Sequence, residues 1–269
     1  MTDNQPTEID NNHNDKKRKH LFSRTGCIVI VLLLALFLAF FGRCAQEARE
    51  AAKRMQCVPK QLALALHNYH DQYQSLPPAY TTDAEGNPLH SWRVLVLPYM
   101  EQKQLYDEIR LDEPWDSPHN SQFHEKMPGI YHCPSRPAVE TAKGLTPFQM
   151  IIGPDTISNG SNCTKFSDIT RNPGDTILVV ETSIPVPWMQ PVDLPQSALQ
   201  NGVVSSVPRR GKPVVQGIGS PHYHQKSNHI FEKKIIGANV AMVDGSCEFF
   251  TTEMTPEELL EKSRIREPE

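Results

Sequence analysis

Between Gly26 and Gly42 the sequence carries no charged residue, and Ile28–Phe41 is built only from Ile, Val, Leu, Ala and Phe. As an α-helix this run spans ~25 Å, the short end of what crosses a bilayer core. Lys16, Lys17, Arg18, Lys19 and Arg24 stand on its N-terminal side. The positive-inside rule therefore puts the N-terminus in the cytoplasm and the rest of the chain outside. Arg43, Arg49, Lys53 and Arg54 flank the far end and oppose that orientation. Three competing readings fit less well. A buried core helix would not follow a basic block and a polar tail. A cleaved signal peptide has a shorter apolar region and a small-residue cleavage site, and no such site follows here. A lipoprotein signal ending at Cys44 is opposed by Arg43 directly before it. The expected organisation is a disordered basic cytoplasmic tail over 1–25, a transmembrane helix in the lipid bilayer over 26–42, and an extracytoplasmic domain over 43–265. That makes the chain a single-pass protein of the cell (inner) membrane.

Beyond the anchor, Ala45–Gln56 is rich in helix formers, and Glu50 precedes Arg54 at the i,i+4 spacing that supports a helix. The membrane helix is expected to run on as a stalk. Pro59 interrupts or restarts it, and Lys60–Tyr73 continues with Leu62, Leu66, Tyr69 and Tyr73 on one apolar stripe. Leu76-Pro77-Pro78 ends that helix, Trp92–Leu97 is an apolar stretch stopped by Pro98, and Tyr99–Ile109 reads as a short helix. Strand signals follow at Phe148–Ile152, Thr176–Val180 and Gly237–Val243. Asp244-Gly245 suits a tight hairpin with positive φ at both central residues. Ser183–Lys212 holds many of the chain's 23 prolines and reads as a long loop. Thr255-Pro256-Glu257-Glu258 is a helix start, with a Thr cap, Pro in the first turn and early acids; that helix closes near Arg264. The fold class is α+β. A net charge of −4 gives no ground for a nucleic-acid partner.

The chemistry-bearing residues form no local pattern. His67 and His70 share a helix face, and His222 and His224 alternate on an extended segment. Neither a His-Glu-x-x-His motif nor a four-ligand Cys/His spacing is present, so no metal is expected. There is no Gly-x-Ser-x-Gly and no glycine-rich phosphate loop, so neither a catalytic residue nor a cofactor is expected and the chain does not read as an enzyme. Glu181 and Asp244 lie at strand ends, where an edge or turn role is the simpler reading. Asn159-Gly160-Ser161 and Asn162-Cys163-Thr164 match the N-glycosylation pattern, but here they mark a loop.

Several segments, taken together and in order, resemble the domain of unknown function 1559 family. They are Ala48–Cys57, Gln61–Asp71 with Leu76-Pro77-Pro78, Ser91–Gln102, His132-Cys133-Pro134-Ser135, Asp175–Glu181, Pro187-Trp188 and Asp193-Leu194-Pro195. Asn239–Ser246, with Asn239, Asp244 and Gly245, resembles the family's C-terminal signature, and the match covers roughly residues 45–260. The resemblance implies a pilin-like or pseudopilin-like protein: an N-terminal transmembrane helix extended into a stalk, then a head domain on an antiparallel sheet. It implies secretion or pilus-like assembly proteins as partners. Members of the family carry a leader ending in Gly, an aromatic residue next, and a Glu five residues into the apolar helix. Here Gly26 fits, but Cys27 replaces the aromatic and Val31 stands where the Glu is expected. That Glu neutralises a partner's N-terminus within apolar packing; without it, a permanent anchor is expected rather than a processed, polymerising subunit. The signature also has a His, nine residues, then Asp-Gly. Lys234 stands in that place, and His229 is the nearest candidate, five residues displaced.

Cys57 and Cys133 both lie in family-like motifs, which favours a Cys57–Cys133 disulfide and leaves Cys163–Cys247; buried free thiols are the alternative. The function expected is that of a membrane-anchored extracytoplasmic structural or interaction protein. The alternative is a ligand-binding or hydrolytic domain built on the 183–236 region, signalled by a pocket lined by Glu181, His222, His224 and His229. Mass spectrometry of the mature N-terminus is expected to find no start at Cys27; a start there would overturn the permanent anchor.

Overall fold

Ala, Leu and Gln fill the positions after Pro59, and they form helix α1, Val58–Tyr73. Leu62, Ala63, Ala65 and Leu66 are buried on one face. Tyr69 packs half-buried beside them, but Tyr73 is 57% exposed, so the apolar stripe ends a turn earlier than its spacing suggests. Gln74 takes a left-handed φ of 56° and closes the helix by donating to His70 O at 2.7 Å. The computed structural model describes residues 30, 32–35, 37, 58–208, 213–228 and 231–267. Two compact units divide the chain, Met1–Met55 and Gln56–Glu269.

In the first unit Ile30, Leu32, Leu33, Leu34 and Phe37 are helical, and their side chains are exposed. Among the described residues no helix is long and apolar enough to cross a membrane. The expected tail over 1–25 and the stalk over Ala45–Gln56 lie outside those residues, as does most of the expected span over 26–42.

The second unit is α+β. After α1 come β1 (Tyr80–Thr82), β2 (Pro88–Ser91), α2 (Trp92–Leu95), α3 (Lys103–Glu108), α4 (Ala138–Ala142), β3 (Leu145–Gln149), β4 (Ile151–Ile152), β5 (Ile177–Pro187), β6 (Leu194–Pro195), β7 (Tyr223–Asn228), β8 (Phe231–Met242), β9 (Cys247–Thr251) and α5 (Pro256–Ser263). The main sheet is antiparallel, in the order β3-β5-β8-β7, with β9 also paired to β8. Helix α1 packs against β5 and β8.

Both faces of this sheet are covered, and the sequence shows it. Along β8, Ala238, Val240 and Met242 point into one cluster with Phe250, Leu199 and Leu259. Ala241 points into the other, with Leu62, Leu66, Trp92 and Trp188. A strand buried on both sides reads as a continuous apolar run, as Val240–Val243 and Ile177–Val180 do. A bulge between Ile177 and Val179 breaks the alternation on β5.

The segment 183–212, expected to be a long loop, is more ordered than its prolines suggest. Strand β5 runs through Pro187, β6 pairs in parallel with β4, and a 3-10 helix covers Gln196–Asn201. Pro185 and Pro187 are tolerated because they lie in the outer half of β5, beyond its pairing with β8. The Asp244-Gly245 turn forms between β8 and β9, but only Gly245 has positive φ, at 82°. Gly245 N donates to Met242 O at 3.0 Å, the geometry of a type I turn followed by a left-handed glycine. The α5 start is as expected: Thr255 Oγ1 accepts from Glu258 N at 3.2 Å, and Thr255 N donates to Glu258 Oε2 at 2.8 Å.

A buried ion pair ties the irregular segments to the sheet. Arg93 Nη2 donates to Asp193 Oδ1 at 2.6 Å, with both side chains fully buried. The same oxygen accepts from Trp92 Nε1 at 3.1 Å and from Met150 N at 2.9 Å. Arg93 Nε reaches Phe148 O at 2.9 Å, and Tyr131 OH reaches Arg93 O at 2.6 Å. Burial raises the Asp193 carboxyl to about 6 in spite of the guanidinium beside it. Asp193→Ala strands a buried guanidinium, so urea denaturation of the variant is expected to show a loss of about 3–5 kcal/mol. A loss below about 1 kcal/mol would mean that the pair does not organise the fold.

Candidate functional site

Three segments that lie far apart in the sequence meet beside β5. The first is the turn after the 3-10 helix Gly129–Tyr131, where Arg136 N donates to Cys133 O at 2.9 Å. Arg136 then straps this turn to β5: its Nη2 donates to the carbonyls of Thr182 and Ser183, and its Nη1 pairs with Glu140 at 3.2 Å. Strand β5 supplies Glu181, opposite Phe148 of β3. The third segment, 217–222, runs along β5: Gly219 N donates to Glu181 O at 2.9 Å and Ser183 N to Gly217 O at 3.0 Å. Its last residue is His222, whose N–H is held by Ser220 Oγ at 3.0 Å and whose carbonyl accepts from Gly237 N at 3.2 Å.

The side chains converge on one another. Cys133 Sγ lies 3.3 Å from His222 Nε2, and that nitrogen lies 3.5 Å from Glu181 Oε2. One ligand atom from each residue falls within 4.8 Å of the other two. Relative exposures are 2%, 1% and 5% for Cys133, Glu181 and His222, so the cluster is sealed from bulk water. Glu181 Oε1 is buried with no hydrogen-bond partner. Burial first, and then the Glu181 carboxylate, push the Cys133 thiol far above its ordinary value; the Ser135 backbone N–H and Arg136 act in the opposite direction. Thiolate, carboxylate and imidazole are a donor set suited to a borderline-soft cation.

Of the residues proposed for the alternative pocket, Glu181 and His222 are brought together, His224 lies in β7, and His229 lies outside the described residues. Cys133 is a buried free thiol and Cys163 an exposed one, so neither expected disulfide is made. Cys133 instead faces His222, and Cys57 lies outside the described residues. His67 and His70 do share a face of α1, but they serve packing: His67 Nε2 donates to Val243 O at 2.8 Å, and His70 stacks on Phe166 with centroids 4.0 Å apart. Asn239 lies within β8 opposite Phe249, while Asp244 accepts from Ser246 N at 2.8 Å in the hairpin turn.

A hairpin interrupts the interval between His222 and Asp244. Tyr223 and Ile236 pair across the base of β7 and β8, and residues 224–235 project beyond them. Without that excursion, Tyr223, Ile236 and Gly237–Val243 are the nine residues between His222 and Asp244. Counted through the paired residues at the base of the hairpin, His222 is therefore separated from Asp244 by nine residues.

An antiparallel-sheet head with a two-sided core and a buried Cys–Glu–His cluster is the class of structure defined here. Residues 46–178, close to half of the chain, match the family described as Protein of unknown function (DUF1559). Cys133 lies inside the matched stretch, and Glu181 and His222 follow it. No curated protein and no solved structure matches the chain. If residues 224–235 are an insertion, deleting them to join Tyr223 directly to Ile236 should leave a folded chain. Circular dichroism is expected to show a thermal midpoint within a few degrees of the parent's; loss of the cooperative transition would sink the insertion reading.

Proposed function

We propose that the chain is a membrane-anchored, extracytoplasmic structural or interaction protein of pilin-like type, held in the inner membrane by residues 26–42 and not an enzyme. The observation that carries this reading is the order of the head: its first element, α1, lies across an antiparallel sheet and follows the apolar run in the chain. The exposed apolar side chains of Ile30, Leu32, Leu33, Leu34 and Phe37 support contact with lipid, since apolar surface of this kind is costly in water. In this reading the head stands outside the cell membrane, where secretion or pilus-like assembly proteins are its partners.

The buried cluster favours a second reading, an extracytoplasmic ligand-binding or hydrolytic domain. Against it, Cys133, Glu181 and His222 are sealed rather than set in an open cleft, so a substrate would need the 217–222 segment to move.

Protease treatment of cells with a permeabilised outer envelope and an intact inner membrane tests the anchor. The head is expected to be degraded while a fragment containing residues 1–42 is protected. Degradation of the head only after the inner membrane is opened would reverse the topology.

A further inference from the structure

We propose that Cys133, Glu181 and His222 form a zinc site that staples the 133–136 turn and the 217–222 segment to β5. Tetrahedral zinc ligands of these types stand roughly 3.3–3.6 Å apart. The S–N separation of 3.3 Å and the N–O separation of 3.5 Å lie at that spacing before any adjustment. Charge points the same way. A thiolate, a carboxylate and a neutral imidazole together carry the two negative charges that a divalent cation balances, while Arg136 is already engaged by Glu140 and two backbone carbonyls.

The chemistry of the cluster without a cation is unfavourable. Glu181 Oε1 is buried with no hydrogen-bond partner, and a polar atom so placed is costly unless a partner reaches it. A protonated His222 would face only Oε2 and leave Oε1 as it is. A free thiol nucleophile is also a poor fit, because Cys133 is only 2% exposed. A cation bound at the sulfur displaces the thiol proton to solvent on binding. Carboxylate oxygen and imidazole in the same set fit zinc better than monovalent copper, which favours sulfur ligands. Three protein ligands leave the fourth position to a water molecule.

The supports of the ligands fit the same purpose. Ser220 and Gly237 clamp the backbone of His222, and Arg136 fixes the Cys133 turn to the strand that carries Glu181. Preorganised ligands of this kind lower the cost of assembling a metal site.

Full-length chain in detergent, purified without chelators, dialysed against zinc chloride and then washed, is expected to retain about one zinc ion per chain by elemental analysis. Glu181→Gln, which preserves shape, and Cys133→Ser are each expected to retain at least tenfold less. Cobalt loaded in place of zinc is expected to give a near-ultraviolet thiolate-to-cobalt charge-transfer band, and this readout on the parent chain does not depend on how a variant folds. Three results would each overturn the proposal: less than about a tenth of a zinc ion per parent chain, undiminished zinc in a folded Glu181→Gln chain, or bound cobalt without the thiolate band. None of these results bears on the topology of the anchor, so the two readings fail independently.

Discussion

The head depends on one buried charge pair. Arg93 and Asp193 are separated by 100 residues in sequence, and both are fully removed from water. Removing two charges from water is costly, so the arrangement holds only because nearly every donor of Arg93 and one oxygen of Asp193 are satisfied. That requirement reaches into the fold. The guanidinium must find Phe148 O at the end of β3 and Val192 O in the loop before β6, while Asp193 must find Met150 N and the Trp92 indole. These contacts fix the loop that carries Trp188, and Trp188 fills the core beneath α1. Hydrophobic collapse alone would tolerate several placements of such proline-rich segments; the pair allows far fewer.

Much of the fold was legible where the determining forces are local. The α5 cap and the apolar runs of β5 and β8 each depend on a few neighbouring residues. Legibility failed where a partner lies far away. Tyr73 continues the helical stripe of α1, but its ring, beside that of Tyr69, is more than half exposed. The 183–212 segment looked like loop because proline weakens local strand propensity. Its order comes from pairing with β3 and β4 and from the contacts of Asp193.

The Cys–Glu–His cluster was illegible for a stronger reason. Metal and catalytic motifs are recognised by short spacings, and no two of Cys133, Glu181 and His222 are within forty residues of each other. The sequence suggests Glu181 and His222 for one candidate pocket, but it reads Cys133 as a disulfide partner. The hairpin over 224–235 hid His222 further by lengthening the interval to Asp244. Three separate segments deliver their polar residues to a single buried point.

That convergence has a physical logic in a head with many irregular segments. Lengths of 48 and 41 residues separate the three side chains along the chain, and fixing such loops costs conformational entropy that grows slowly with their length. Small domains outside the cytoplasm often meet this cost with disulfides, yet Cys133 is a free thiol placed against a histidine and a carboxylate. A thiol so placed, only 2% exposed, is shielded from solvent oxidants. A shared cation would link the same three segments in a single event, and its binding free energy would add directly to folding. The unpartnered oxygen of Glu181 then becomes intelligible. As part of an apolar core it is a defect, but beside a cation it is a second acceptor held in reserve by the same strand that carries the sheet.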